Sequence, residues 1–159
     1  MNNDMLSALE KDARLSAREL GIMFSEDEKE VKRQIEECEK DGTILGYRTV
    51  INWDRTGRDA VTALIELKIT PVRDRGFDAV AERICNYPEV KSVFLMSGGF
   101  DLCLMIEGRS MRDVAYFVAE KLATIDGVSS TATHFVLQKY KDNDISFDVE
   151  ETDKRGNDW

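Results

Sequence analysis

The chain has 159 residues, with 22 basic and 31 acidic side chains and a net charge of −9. An acid excess of that size argues against a general phosphate-neutralising protein, because nucleic-acid binders usually carry a basic excess. Apolar residues at 42% and charged residues at 33% exclude disordered and fibrous classes, no apolar run nears the roughly 20 residues that span a bilayer, and the length suits one domain or two small ones.

The first residues, MNNDMLSALEKD, lack a basic stretch followed by an apolar one, so a cytosolic protein with no membrane partner is expected. Cys38, Cys85 and Cys103 are scattered and in no CxxC spacing, and His134 is the single histidine. That inventory supplies neither a disulfide framework nor the clustered ligands of a zinc site, so no metal or cofactor is expected.

In chain order, Met5, Leu6, Leu9 and Ala13 form an apolar stripe of helical period that ends near Asp12 to Arg14. Ser16 with Glu19 three residues on is a capping box, opening a short helix that buries Leu20 and Met23. Asp27 with Glu30 has the same spacing and predicts a second box before Val31, Ile35 and Cys38, with Gly42 as the stop. After Gly42, Ile44, Tyr47, Thr49, Val50 and Ile51 are β-prone and predict a small hairpin or strand, a β wing. Residues 53–59, rich in turn and charge signals, read as a linker between a first domain, 1–52, and a second, 60–141.

From Val61 the period alternates between two and 3.6. Val61, Ala63, Ile65, Leu67 and Ile69 make one strand face, ended by Pro71. Phe77, Val80, Ala81 and Ile84 mark a helix, Val90 to Met96 a strand, Ser97-Gly98-Gly99 a turn, and Phe100 to Glu107 a strand. Ser110 caps a helix carrying Val114, Val118, Leu122 and Ile125, and Thr131 to Leu137 is the last strand. The order β-α-β-β-α-β is the ferredoxin-like motif, and its helices cover one sheet face only. Cys103 alternates with Leu102 and Leu104 and is expected on the other face. Residues 142–159 carry −5 and read as a solvated acidic tail, although Ile145, Phe147 and Val149 alternate as a short edge strand would.

An α+β chain built from a winged helix-turn-helix followed by a ferredoxin-like domain resembles the Lrp/AsnC family, the leucine-responsive or feast/famine transcription regulators. The resemblance is carried by S-A-R-E-L at 16–20, V-x-x-x-I-x-x-C at 31–38, D-G-T-I-L-G-Y at 41–47, S-G-G-F-D at 97–101 and T-A-T-x-F-V-L at 131–137, and it extends from residue 4 to about 140. It implies a regulator that binds double-stranded DNA, forms homodimers assembling to octamers, and senses a small effector, commonly an amino acid. It also implies that the loop Ser97, Gly98, Gly99, Phe100 and Asp101, with Thr131 and Thr133, borders the effector pocket. Chemically, glycines with positive φ could present amides to a carboxylate while Asp101 accepts an ammonium. The plain alternative makes Gly98-Gly99 only a hairpin turn that Asp101 caps.

The chain departs from the family in the helix that would read DNA. The family has Ser or Thr where Asp27 stands and Arg where Gln34 stands, and residues 26–41 sum to −4 here. Lys29, Lys32, Arg33 and Gln34 are the candidate DNA contacts; on the other reading the cations only pair with glutamates on a solvated face. Two functions therefore stay open: an effector-responsive transcription regulator, or an oligomeric sensing module whose helix-turn-helix binds DNA weakly or not at all. No nucleophile lies beside a base, so an enzyme is not expected. Trp53 is expected to pack between the domains, and His134 to be a half-exposed sheet residue.

Overall fold

A computed structural model describes residues 1–70 and 76–147, which divide into two compact units, Met1–Val50 and the chain from Ile51 onward. Pro71, and Val149 with the rest of the acidic tail past Phe147, lie outside the described residues.

The first unit is three helices: α1 (Asn3–Lys11), α2 (Ala17–Phe24) and α3 (Glu28–Lys40). Each starts on a side-chain cap. Asn2 accepts from the Met5 amide, and Ser16 and Glu19 form the expected reciprocal box. The third start differs from the reading of the sequence. Asp27 accepts from the Lys29 amide at 2.9 Å, and Glu30, rather than closing a box, turns toward Arg33 and Gln34. A guanidinium one turn away outcompetes a backbone amide for an exposed carboxylate.

Met5, Leu9, Leu20 and Val31 are the buried centre, with Ile35 and Ile44 packed around them. The turn between α2 and α3 is tight: Ser25 is left-handed at φ 58°, and the Glu26 amide donates to the Gly21 carbonyl. A Cβ on Gly21 would lie 2.7 Å from the Glu26 carbonyl oxygen, a backbone atom that cannot swing away. Gly21→Ala should therefore lower the stability of this unit by about 1–3 kcal/mol. A thermal midpoint equal to wild type would show that the turn yields instead.

The strand or hairpin expected after Gly42 does not form. Gly42 at φ 81° and the Ile44 amide reaching back to the Cys38 carbonyl close α3, and residues 45–52 then run without a ladder, Leu45 being 94% exposed. β-prone residues make a strand only where a second segment supplies hydrogen bonds, and no described segment of this chain pairs with them.

The second unit is an antiparallel sheet of β1 (Val61–Ile69), β2 (Val90–Leu95), β3 (Leu102–Gly108) and β4 (Val128–Phe135), in the order β2-β3-β1-β4. Two helices, α4 (Phe77–Cys85) and α5 (Met111–Phe117, continued as a π turn over Val118–Leu122), supply the apolar residues that cover one face. The core is the alternation read from the sequence: Ala63, Ile65, Leu67 and Ile69 of β1 and Leu102, Leu104 and Ile106 of β3, against Val80, Ile84, Val114 and Leu122. A further hairpin, β5 (Lys141–Asp142) and β6 (Ile145–Ser146), turns through Asn143 and Asp144, both with positive φ. Ile145 thus pairs within its own two-stranded ribbon and adds no strand to the main sheet.

The opposite sheet face carries Glu66, Cys103, Phe94 and Ala132, adjacent by register. Cys103 is buried there, and burial, then the nearby Glu66, pushes its thiol pKa up, so it stays protonated. His134 on the neighbouring strand is exposed, with Nε2 3.4 Å from Glu66 Oε1. Trp53, in a 3-10 turn at Trp53–Arg55, lies under the Arg58 guanidinium at 4.4 Å.

Candidate nucleic-acid interface and effector loop

Val31, Ile35 and Cys38 turn α3 inward, so at about 100° per residue the outward side is Lys29, Arg33, Glu36 and Lys40, with Lys32 beside them. The −4 of residues 26–41 therefore resolves by face. Four cations and one carboxylate point out, while Glu30 and Glu37 flank them. The acids of the first turn, Glu28 and Glu30, also suit the positive end of the helix dipole, which is why they are compatible with helix formation here.

Of the four candidate contacts, two are engaged. Arg33 donates Nε to Glu30 Oε2 at 3.0 Å and its two Nη groups to Glu30 and Glu37, and Gln34 Nε2 donates to Glu26 and Glu30 at 3.0 and 3.1 Å. Lys32 lies 3.9 Å from Glu36, and Lys29 makes no ion pair among the described residues. The Arg33 guanidinium, then the Gln34 amide, holds the Glu30 carboxyl down from 4.5 to about 2. A lowered carboxylate pKa means that the interaction is complete above about pH 4.5 and is lost as the pH falls through about 2. A side-chain NMR titration of Glu30 should accordingly find its midpoint near 2; a midpoint near 4.5 would show that Arg33 does not hold it in solution. The roles of Glu26, Glu30 and Glu37 had one signal in the sequence, their spacing of three, four and eight residues from Arg33 and Gln34.

At the β2–β3 connection the structure corrects the glycine argument. Neither Gly98 nor Gly99 has positive φ, and a Cβ on either would meet nothing within 4 Å. The turn spreads over residues 97–101 and has no need of the left-handed region. Asp101 is its anchor. Its amide donates to the Leu67 carbonyl at 2.9 Å, its carbonyl accepts from the Met96 amide at 2.8 Å, and its Oδ2 accepts from the Ile69 amide at 2.6 Å. The β1–β3 pairing ends at Leu67 and Leu102, and the carboxylate supplies an acceptor for the next β1 amide on that side, beyond the last paired residue. Oδ1 accepts no hydrogen bond among the described residues. Sequence reading could assign Asp101 a cap, but not a partner 32 residues away.

Thr131 pairs with Leu67 and Thr133 with Ile65, so the threonines flank β1 on the side away from the loop. Two strand spacings, about 10 Å, separate Thr131 from Leu102 across Leu67. Loop and threonines share one region of the sheet, on opposite sides of β1. A cleft of about 320 Å³ lies elsewhere, lined among others by Arg58, Lys91, Glu107, Arg109 and Asp113, and it includes none of the expected effector residues.

Among the described residues no helix is long and apolar enough to cross a membrane, and no group of side chains is arranged to hold a metal ion. Residues 62–145 match the family described as the Lrp/AsnC ligand binding domain. YugG of Bacillus subtilis, named an HTH-type transcriptional regulator, is 44% identical over 153 residues, covering 96% of this chain and 92% of that protein. The HTH-type transcriptional regulator LrpA of Pyrococcus horikoshii is 30% identical, covering 86% of this chain and 94% of its own length. A transcriptional regulator of Neisseria meningitidis, solved as a complex with L-Met, superposes with a TM-score of 0.69 at 23% identity, over 89% of this chain and 93% of that one. With its three-helix unit, its four-stranded sheet and these relatives, the chain belongs to the Lrp/AsnC family, as a helix-turn-helix transcription regulator with a ligand-binding domain.

Proposed function

We propose that residues 1–52 contact double-stranded DNA through Lys29, Lys32, Arg33 and Gln34, and that residues 60–141 assemble the protein and sense a small effector, with 53–59 as linker and 142–159 as an acidic tail. The observation that carries the reading is the outward side of α3, where four cations face away from the core of a chain whose net charge is −9. Phosphate contact depends on the face presented to the duplex, because at about 0.1 M salt charges more than about 10 Å away are largely screened.

For the effector, Asp101 Oδ1 accepts no hydrogen bond among the described residues and suits an ammonium, and a Cβ on Gly98 or Gly99 would meet nothing within 4 Å. An amino acid fits that chemistry, and the structurally similar Neisseria protein was solved with L-Met. Within the second unit no described helix covers the sheet face bearing Phe94 and Cys103, which favours a homodimer through that face and larger assemblies, up to an octamer, from such dimers. The chemistry is that of binding and regulation rather than of an enzyme, and a cytosolic location accompanies it.

Retention of fragments from the source genome on the purified protein at low salt tests the DNA contact. Recovered fragments should share half-sites about one helical turn apart, or a multiple of that. Failure to retain any fragment would overturn the reading in favour of a sensing module with a silent helix-turn-helix. Native mass spectrometry of the same preparation, with and without each of the common amino acids, reads both the assembly and the ligand.

A further inference from the structure

The outward cation best placed in the middle of α3 is also the one held most firmly. Arg33 has three of its donors on carboxylates of its own helix: Nε and Nη2 grip both oxygens of Glu30, one turn before it, and Nη1 meets Glu37, one turn after. The three side chains together carry −1, so the centre of the outward stripe is net negative even though an arginine stands there. Glu30 is held a second time, by Gln34, which Glu26 holds as well. Lys29 and Lys32, at the N-terminal half of the same stripe, have no such restraint: Lys29 is without an ion pair among the described residues and Lys32 has one contact at 3.9 Å.

Resting on the assignment of α3 as the DNA-facing helix, we infer that Glu30 and Glu37 form a restraint on Arg33 that suppresses non-specific DNA binding. A phosphate anywhere on a duplex offers Arg33 one more anion in place of two it already has, and it must approach two carboxylates to do so. The exchange gains little and costs repulsion. A site at which Lys29 and Lys32 are already engaged brings the duplex close enough to share the arginine, so the restraint discriminates between sites by a repulsive element, which penalises all sequences and is overcome at few. Exposed ion pairs of this kind contribute little to folding, so their arrangement around the reading helix costs the fold almost nothing to alter. The packing of Val31, Ile35 and Cys38 keeps α3 in place when they are removed.

The test measures binding of a random-sequence duplex by the full chain, across a series of salt concentrations. The Glu30→Gln, Glu37→Gln double variant changes the cluster from −1 to +1. It should bind random duplex about tenfold or more tightly than wild type at low salt, with a salt slope steeper by about one for each phosphate gained. Asp4→Asn with Glu10→Gln on α1, both at exposed positions with no ion pair among the described residues, makes the same change of +2 and controls for the global charge; it should gain less than about twofold. Adding Arg33→Met to the double variant should remove most of its gain.

A gain equal to that of the Asp4→Asn, Glu10→Gln control, or one that survives Arg33→Met undiminished, overturns the inference. So does a double variant that binds random duplex no better than wild type. Circular dichroism confirms that each variant retains its helices. The assignment of α3 fails separately: wild type that retains no genomic fragment refutes the proposed DNA contact. Wild type that retains fragments while the double variant gains nothing on random duplex refutes only the restraint.

Discussion

Lys29→Glu with Lys32→Glu should reduce affinity for the genomic fragments that wild type retains by on the order of 100-fold, and should make the salt slope shallower by about two. Both lysines lie on the outward side of α3, Lys29 without an ion pair among the described residues and Lys32 with one loose contact, so nothing in the fold depends on them. Each reversal removes a cation that can displace a counterion and puts a carboxylate in its place, so two phosphate contacts disappear from the slope. Fluorescence anisotropy over a range of salt concentrations reads affinity and slope together. Unchanged affinity and slope would move the DNA contact away from α3.

Asp101→Ala should destabilise the second unit by about 1–2 kcal/mol, because the Ile69 amide, part-buried past the end of the β1–β3 pairing, loses its acceptor. Asp101→Asn separates structure from sensing. An amide oxygen still accepts from Ile69, so the thermal midpoint should stay within a few degrees of wild type. The negative charge is gone, so any effector held by its ammonium should bind at least about tenfold more weakly. Calorimetric titration with the amino acid found by native mass spectrometry checks the second half. If Asp101→Asn binds that amino acid as wild type does, Asp101 is an anchor of the loop and nothing more.

Much of the architecture could be read in the chain because it rests on short-range signals. Ser16 and Glu19 are three residues apart and need only each other, and their box appears as expected. The alternation Val61 to Ile69 and the helical spacing Val114, Val118 and Leu122 each reproduce themselves as a buried face. Asp27 and Glu30 have the spacing of Ser16 and Glu19 but not its outcome, because Arg33 and Gln34 stand within reach of Glu30 and no cation competes for Glu19. The β-prone residues after Gly42 fail for a different reason: propensity describes one side of a ladder and is silent about the other.

The candidate site was legible as a set of residues and not as an arrangement. Gly98 and Gly99 suggested a left-handed turn, yet a connection spread over five residues relaxes the need for it. Asp101 suggested a cap, yet its acceptor role depends on where the β1–β3 pairing ends, which leaves the Ile69 amide beyond the last paired residue and within its reach. Gly21 carried no sequence signal at all, since the atom it avoids, the Glu26 carbonyl oxygen, comes near only when the turn folds back.

The net charge of −9 shows the same division of labour. Sequence alone determined the order of elements, the covered face of the sheet and the family resemblance, because periodicity, caps and turns act over three to eight residues. Tertiary structure decided which charges meet, because a carboxylate chooses among donors by distance and those distances exist only after the helix has turned its apolar side inward. On α3 that choice leaves Lys29 and Lys32 outward and ties Arg33 between Glu30 and Glu37. The acid excess of the helix is thus a matter of which face carries it.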